Sequence, residues 1–300
     1  MKAGLVRVLL SALAALPFAA ASAAGGAIGR LQWWLPSRTR AQARANIDAC
    51  YPDRAAAWRE RLTRSSLRQM GRTLSESAWL WHHPHGRVLD LVHEFHGLEH
   101  FERARRAGKG IIFATPHIGL WELILAFAAN HTSLTVLYRR PRIAALERIL
   151  LQARERYGAK LVPTDASGVR ALYRALNAGE AIGLLPDQQP RSGQGVTAPF
   201  MGQPAPTMTL LSRMAARTGA TVLFVAMLRR DDGPGFVFHL WPAEPAIASA
   251  DTAVAARQVN RETERAIAFA PEQYMWSYQR FRKRGKRKSA AAEDNAVAAQ

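Results

Sequence analysis

The stretch of sequence that says most about the fold is Ala114-Thr115-Pro116-His117-Ile118-Gly119-Leu120-Trp121-Glu122-Leu123-Ile124. It follows Gly110-Ile111-Ile112-Phe113, a short apolar run typical of a buried strand. The proline biases the residue before it towards extended geometry, so we expect the strand to end there. From Leu120 onwards apolar residues recur every three or four positions, which predicts a helix. His117 is therefore predicted at the carboxyl end of a strand, where open α/β sheets usually place their ligands.

His117 and Glu122 form a candidate catalytic pair. In a continuous helix the two side chains would point roughly 140° apart. They can meet only if His117 precedes the helix and the chain folds back, which Gly119 permits. A carboxylate that holds one imidazole nitrogen leaves the other free to accept a proton, as in a general base that activates a hydroxyl. The alternative is a strand-end histidine that only hydrogen-bonds to the backbone, and spacing alone does not decide between the two.

Apolar runs and helical patterns alternate along the rest of the chain. They predict strands at residues 92–95, 134–138, 160–163, 181–185, 221–228 and 236–241, and helices at residues 143–157, 168–177, 207–217 and 254–269. Strands separated by helices predict an α/β fold, with a central mixed sheet flanked by helices. In this arrangement His117, Arg139 and Asp187 all lie at strand ends, and we expect them to converge on one rim of the sheet.

Five blocks of sequence carry a resemblance to a known family: His117-Ile-Gly-Leu-Trp-Glu122, Leu137-Tyr138-Arg139, Leu185-Pro186-Asp187-Gln188, Ala198-Pro199-Phe200-Met201-Gly202, and Pro271-Glu272-Gln273-Tyr274-Met275-Trp276 leading into Arg280-Phe281. The first resembles the H-x4-D/E box of glycerolipid acyltransferases. Its Gly-x-Trp-Glu form resembles the lipid A late acyltransferases, the lauroyl and myristoyl enzymes of Gram-negative bacteria. The blocks occur in the family's order and span nearly the whole chain.

The resemblance implies a glycerolipid-acyltransferase-like fold and a reaction. A fatty acyl chain would pass from an acyl carrier protein thioester to a hydroxyl of a lipid A precursor. His117 would be the general base, Glu122 would fix its imidazole, and Arg139 and Asp187 would bind substrate. The thioester brings its own activation, so neither a metal nor another cofactor is implied. An acyltransferase acting on a lysophospholipid or another glycolipid would share every catalytic residue.

Two of these residues also have simpler interpretations. Arg139 opens the basic turn Arg139-Arg140-Pro141-Arg142, whose guanidinium groups suit a phosphate of lipid A or of the phosphopantetheine arm, but also suit solvent. The family usually has proline directly after the arginine, so the extra Arg140 leaves open which guanidinium binds substrate. Asp187 follows an apolar strand, where an aspartate is often only a cap or turn former.

Composition narrows the choice of partners. Lys and Arg number 41 against 23 Asp and Glu, a formal net charge of +18. Such a surface attracts polyanions, yet no nucleic-acid-binding module is recognisable, so an anionic membrane fits better. Six histidines between residues 82 and 100 have no recognised metal-ligand spacing, and we expect no metal site. The single cysteine, Cys50, excludes an internal disulfide.

The N-terminal segment admits two interpretations. Residues 8–29 carry no charge and would span about 33 Å as a helix, close to the thickness of a bilayer core. The family resemblance implies a retained inner-membrane anchor with the active site facing the cytoplasm. Trp33 and Trp34 suit an interfacial belt, while Pro17 and three glycines leave shallow insertion open. The alternative is a signal peptide cleaved after Ala21-Ser22-Ala23, which would release a basic, exported membrane-binding protein without activity.

The expected domain plan has three parts. Residues 1–35 form the N-terminal membrane anchor, residues 36–284 the acyltransferase domain, and residues 285–300 a disordered basic and Ala-rich tail. A basic cluster at residues 282–288, Arg-Lys-Arg-Gly-Lys-Arg-Lys, precedes this tail and suits anionic headgroups.

Overall fold

The computed structural model describes residues 2–138, 144–191 and 193–281, without the side chains of residues 2–7, 9 and 144–146. The predicted tail at residues 285–300 and the basic cluster at residues 282–288 lie outside the described residues. The helices are α1 (Lys2–Ala15), α2 (Phe18–Trp34), α3 (Arg38–Cys50), α4 (Ala56–Leu80), α5 (His85–Leu89), α6 (Leu98–Ala107), α7 (Trp121–His131), α8 (Ala144–Arg156), α9 (Ala166–Asn177), α10 (Leu210–Thr218) and α11 (Thr252–Phe269). The strands are β1 (Val92–His96), β2 (Ile111–Ala114), β3 (Leu134–Tyr138), β4 (Lys160–Pro163), β5 (Ala181–Leu184), β6 (Gly195–Phe200), β7 (Gln203–Met208), β8 (Thr221–Arg229) and β9 (Phe236–Pro242).

Seven strands form the central sheet, in the order β1-β9-β8-β2-β5-β3-β4. All neighbours are parallel except β8 and β9, which are antiparallel, so the sheet is mixed as predicted. The whole of β2 is buried and lies between β5 and β8. Strand β5 inserts between β2 and β3. The loops that follow β2 and β5 are therefore neighbours, although they are about seventy residues apart in sequence.

Helices cover both faces of the sheet, which confirms the predicted α/β class. One face packs against α6 and α7 through side chains such as Phe101, Leu123 and Phe127. The other face packs against α9, α10 and α11 through side chains such as Leu172 and Met214. Strands buried on both sides are consequently apolar along their whole length, which is why the sequence pattern located them.

The hairpin of β6 and β7 was not predicted. Its two strands pair in antiparallel register from Gly195 with Met208 to Phe200 with Gln203. The turn places Met201 at φ 48°, the only non-glycine residue with positive φ in the described chain, followed by Gly202 at φ 74°. Three prolines lie in the two strands, and proline normally argues against a strand assignment. They are tolerated here because the pair forms a separate two-stranded ribbon.

The uncharged N-terminal run forms two helices instead of the single anchor helix that we expected. Helix α1 ends at Ala15 and α2 begins at Phe18, directly after Pro17. Within the described part of the chain, none of the helices combines the length and apolar character needed to span a bilayer. Of the two expected belt residues, Trp33 is buried and Trp34 is exposed.

Glycines allow α2 to pack closely against α4. A Cβ atom built on Gly29 would lie 2.3 Å from the carbonyl oxygen of Leu67. One built on Gly25 would lie 2.4 Å from the carbonyl oxygen of Gly71, and one on Gly71 would lie 2.2 Å from that of Gly25. Neighbouring backbone cannot yield as a flexible side chain can, so these positions require the absence of a side chain. The N-terminal segment thus packs closely on the rest of the protein through the contact of α2 with α4.

Gly29→Ala is expected to destabilise the protein. The added methyl group would force α2 away from α4, and such overpacking costs about 1–3 kcal/mol, enough to outweigh the better helix propensity of alanine. Thermal unfolding should show a lower Tm than wild type. Gly86→Ala in α5 is the matched control, since a Cβ there meets nothing within 4 Å, and its Tm should not fall. An unchanged Tm in Gly29→Ala would contradict the close helix packing.

Candidate active site

The loop after β2 presents His117. The backbone N–H of Thr115 donates to the carbonyl of Leu184 over 2.9 Å, which extends the pairing of β2 with β5 by one residue. The chain then turns at Gly119, whose φ is +60°. A Cβ on Gly119 would lie 1.9 Å from the carbonyl oxygen of Met227, so only glycine fits this turn. The chain thus turns at Gly119 as its sequence permits, but the turn does not bring His117 to Glu122.

A segment near the C-terminus holds this loop from the outside. The N–H of Gly119 donates to the carbonyl of Gln273 over 3.1 Å, and the N–H of Met275 donates to the carbonyl of His117 over 2.9 Å. The side chain of Asn46 donates in turn to the carbonyls of Trp276 and Tyr278, each over 2.7 Å. The loop conformation is thus fixed by backbone contacts on both sides.

His117 pairs with Asp187. Its Nδ1 lies 2.8 Å from Oδ1 of Asp187, and its backbone N–H donates to Oδ2 over 3.0 Å. The strand register explains the meeting, since Ala114 pairs with Leu184 and the two residues come three positions after these partners. The predicted convergence of His117 and Asp187 at one rim is confirmed. His117 is only 7% exposed, deeper than its strand-end position suggests.

The environment keeps Asp187 ionised. Burial alone would raise the pKa of this carboxyl, but the imidazole and backbone N–H of His117, together with Arg280, outweigh burial and lower the pKa below its usual value. The neighbouring Tyr274 responds in the opposite sense, because burial and the Asp187 carboxylate raise the pKa of its hydroxyl well above 10. An ionised Asp187 accepts a hydrogen bond from Nδ1–H, which leaves Nε2 of His117 as a proton acceptor.

Glu122 does not hold the imidazole, in contrast to the prediction. It lies in the first turn of α7 and accepts hydrogen bonds from Nη2 of Arg154 over 2.7 Å and from Nε1 of Trp81 over 3.4 Å. The structure gives it no hydrogen bond to His117. The reason is directional: the first turn of α7 points Glu122 towards α8, whereas His117 follows the strand towards β5. The Glu122 carboxylate also raises the pKa of Arg154.

The remaining predicted site residue, Arg139, lies outside the described residues, as does Arg140. Sequence reasoning missed Arg154, because nothing in the pattern of α8 distinguishes this arginine from its exposed neighbours. It also gave no role to Tyr278, although this residue lies between Trp276 and Arg280 of the C-terminal block. The ring of Tyr278 lies parallel to the imidazole of His117 with centroids 6.2 Å apart, and its hydroxyl accepts from the N–H of Gln189 over 2.9 Å.

The His117 ring lies next to three residues that line a cavity of about 1050 Å³, Trp121, Gln188 and Tyr278. The Nε2 of Gln188 lies 3.4 Å from Nε2 of His117. Strands β2, β3 and β5 and helix α7 form an apolar part of the wall: Phe113, Ile124, Leu125, Ala128, Leu134, Val136 and Leu184. The volume and apolar lining are those of a small-molecule or lipid site.

Gly183 helps to keep this cavity open. It lies inside β5 between register partners Phe113 and Val136, and all three line the cavity. A Cβ at this position would come within 2.9 Å of Cγ1 of Val136. Its φ is not positive, so the backbone conformation does not require glycine here. The missing side chain instead leaves room at the level of the sheet.

Two buried donors in the cavity wall have no hydrogen-bond partner within the described part of the chain. They are Nε of Arg154 and Nε2 of Gln189. Buried donors in proteins are almost always satisfied by a protein group, an ordered water molecule or an ion, so two unpaired donors in one wall are unusual.

A buried ion pair connects α2 with the His117 loop. Arg229 donates from Nε to both oxygens of Glu76, at 3.0 and 2.9 Å, and from Nη2 to the hydroxyl of Thr73 over 2.6 Å. The Thr73 hydroxyl donates to the carbonyl of Gly119 over 3.1 Å, and the hydroxyl of Ser22 donates to Glu76 over 2.6 Å. Burial would raise the pKa of Glu76, but Arg229, Ser22 and Arg72 outweigh it and lower the pKa.

Comparison with known proteins identifies the family of this chain. Residues 2–283 match the model of the bacterial lipid A biosynthesis acyltransferase family. The chain belongs to this family. As a lipid A biosynthesis acyltransferase it is a transferase, and the resemblance seen in the five sequence blocks is confirmed.

Individual relatives of this acyltransferase span most of its length. The lipid A biosynthesis palmitoleoyltransferase of Escherichia coli K12 is 28% identical over 273 residues, 90% of this chain and 87% of the relative. The lauroyltransferase of the same organism is 26% identical over 272 residues, with the same coverage. The myristoyltransferase is 22% identical over 250 residues, 83% of this chain and 77% of the relative.

Proposed function

We propose that this acyltransferase moves a fatty acyl chain from an acyl carrier protein thioester to a hydroxyl of a lipid A precursor. The observation that carries the proposal is the buried pair of His117 and Asp187, whose imidazole packs against residues that line a large cavity. Family membership supports the acceptor, and the names of the relatives indicate that different members transfer different acyl chains.

The first step is general-base catalysis by His117. Asp187 holds the tautomer with the proton on Nδ1, so Nε2 takes the proton from the acceptor hydroxyl as its oxygen attacks the thioester carbonyl. The positive charge that develops on the imidazole is stabilised by the Asp187 carboxylate. The second step breaks the carbon–sulfur bond, and the departing thiolate takes the proton from Nε2. The products are an ester and a free thiol, and no acyl-enzyme is required.

The cavity supports a lipid donor and an oxygen-rich acceptor. Its apolar depth between α7 and the sheet suits a hydrocarbon chain, which gains about 0.8 kcal/mol for each buried CH₂ group. Polar residues of the wall, among them Arg154 and Gln189, suit hydroxyl or phosphate oxygens of the acceptor. We assign Glu122 to this wall, where it orients the guanidinium of Arg154, and Arg139 to a phosphate of the acceptor or of the phosphopantetheine arm.

We place the protein at the cytoplasmic surface of the inner membrane, with α2 lying on the bilayer. An apolar stripe on α2 supports this placement: Leu31 is 63% exposed and Trp34 is 76% exposed, with Ile28 and Leu35 also exposed beside them. The spacing puts these residues on one side of the helix. Exposed arginines at positions 30 and 38 would meet anionic headgroups. The buried contact between Ser22 and Glu76 favours retention of this segment in the mature protein.

Leu31→Ser combined with Trp34→Ser is expected to weaken binding to anionic phospholipid vesicles at least about tenfold, because two apolar side chains leave the bilayer. Co-sedimentation with vesicles measures this. Val254→Ser, at an exposed apolar position on α11, is the control and should bind as wild type does. Equal binding by the double variant and wild type would contradict a membrane role for the stripe.

The function itself is tested with detergent-solubilised protein and acyl carrier protein thioesters of several chain lengths. Under-acylated lipid A precursor and lysophospholipid are offered side by side as acceptors. We expect acyl transfer to the lipid A precursor. Transfer to lysophospholipid alone would retain the reaction and refute the acceptor, and transfer to neither would refute the proposal.

A further inference from the structure

A groove lined by arginines lies on the surface of helices α9 and α10. Its walls are formed by Ser167, Arg170, Tyr173, Arg174, Asn177 and Arg217, around a space of about 450 Å³. Both helices pack on the sheet face that is opposite to α6 and α7. The groove is therefore shaped by rigid elements whose apolar sides are buried in the core.

The groove adjoins the cavity described above. Arg170 lines both spaces. Arg213, one helical turn before Arg217 on α10, also lines the cavity. A molecule seated in the groove would thus lie next to the cavity, with Arg170 at the border between the two spaces.

The groove carries an excess of positive charge. Arg170, Arg174, Arg213 and Arg217 are all exposed, and within the part of the chain that the structure describes they form no ion pair. The guanidinium of Arg217 lies 5.3 Å from the ring centroid of Tyr173, which restricts its orientation. Asp165 lies at the start of α9, but its carboxylate caps the helix by accepting from Ser167 and Gly168. Asp165 also interacts electrostatically with Arg170, so the excess of positive charge lies mainly with Arg174, Arg213 and Arg217.

We propose that this groove docks the acidic carrier protein that delivers the acyl thioester. Carboxylates on the surface of the carrier would pair with Arg174 and Arg217, and the phosphate of its arm would pass Arg170 as the thioester enters the cavity. This inference rests on the proposed donor and adds the place where that donor binds. Electrostatic attraction of this kind acts mainly on the rate of encounter and on the choice of partner.

The distribution of apolar residues favours a protein over a bilayer as the occupant. Among the described residues, no large apolar side chain of α9 or α10 is exposed, whereas α2 exposes several. A surface that enters a bilayer combines basic and apolar residues, as α2 does. A groove that is basic without exposed apolar residues suits a hydrated acidic protein.

The test compares charge reversals on two faces of the protein. Arg174→Glu with Arg217→Glu alters the groove without touching the cavity lining, and Arg103→Glu with Arg106→Glu makes the same change of charge on α6. At low ionic strength we expect the groove variant to raise KM for the acyl carrier protein thioester at least about tenfold, with kcat unchanged. The α6 variant should stay within about twofold of wild type.

Two further measurements separate the possible outcomes. Anisotropy of fluorescently labelled carrier protein reports docking without acyl transfer, so a failure of the groove is distinguished from a failure of the proposed reaction. Co-sedimentation with anionic vesicles should give equal binding for the groove variant and wild type. Equal KM and equal carrier affinity in the two charge-reversal variants would overturn the proposal. Loss of vesicle binding with unchanged carrier affinity would assign the groove to the membrane and overturn it too.

Discussion

His117→Ala is expected to lower kcat for acyl transfer by about 10²–10⁴-fold, the usual contribution of a general base. Nε2 of His117 is the proton acceptor and lies beside Gln188 of the cavity wall, and the Asp187 carboxylate cannot replace it because it is buried on the Nδ1 side of the imidazole. The assay follows transfer from an acyl carrier protein thioester to a lipid A precursor. The fold should persist, since the loop is held by backbone hydrogen bonds that alanine also makes.

A second variant guards against a loss of structure. His117→Asn keeps an amide donor near the position of Nδ1, so Asp187 retains a partner, but it removes the acceptor at Nε2. Its Tm should be close to that of wild type and its kcat as low as that of His117→Ala. Turnover within about threefold of wild type in a folded His117→Asn protein would contradict general-base catalysis by this residue.

Asp187→Asn is expected to lower kcat by about 10²–10⁴-fold while the fold remains intact. The backbone N–H of His117 requires an acceptor, so it should hold the new amide oxygen at the place of Oδ2. The amide NH₂ then faces Nδ1 and donates to it, which moves the imidazole proton to Nε2. A histidine with that tautomer has no lone pair for the acceptor hydroxyl. This is checked by measuring kcat and KM of Asp187→Asn next to those of a second, matched variant, in which the other candidate carboxylate is changed to an amide.

Glu122→Gln is that matched variant, since it makes the same chemical change at the other candidate carboxylate. Glu122 has no contact with the imidazole, and its loss disturbs Arg154 in the cavity wall. We therefore expect a higher KM for the acceptor and a smaller loss of kcat than in Asp187→Asn. A loss of kcat confined to Glu122→Gln would restore the sequence-based pairing of His117 with Glu122.

Much of this site could be predicted because it depends on local signals. The strand before His117 is an unbroken apolar run, and the turn after it needs a glycine at position 119. The placement of Asp187 at a second strand end follows from the same kind of signal in β5. Parallel strands bring their carboxyl ends to one edge of a sheet, so the meeting of these two residues could be expected before the structure was known.

The choice of carboxylate could not be predicted, because it depends on non-local packing. Glu122 is five residues from His117 in sequence, but the first turn of α7 directs it to Arg154. Asp187 is seventy residues away, and its approach depends on the insertion of β5 next to β2. The spacing of residues along the sequence does not reveal that β5 lies next to β2.

The N-terminal segment was predicted less well for a related reason. Its lack of charge suggested one long helix, whereas Pro17 divides it and its glycines face α4. Glycine in an apolar run weakens a helix when considered alone. In the folded protein it permits the close contact of two helices. Whether a glycine weakens the helix or allows it to pack closely can be judged only when the partner helix is known.

The pairing of His117 with Asp187 is tested most directly by a double-mutant cycle on kcat. Wild type, His117→Ala, Asp187→Asn and the double variant are assayed with a saturating acyl carrier protein thioester and lipid A precursor. If Asp187 acts only through the imidazole, the double variant should be no more than about threefold slower than His117→Ala. Losses of kcat that multiply in the double variant would show that the two residues act independently, and would contradict this account.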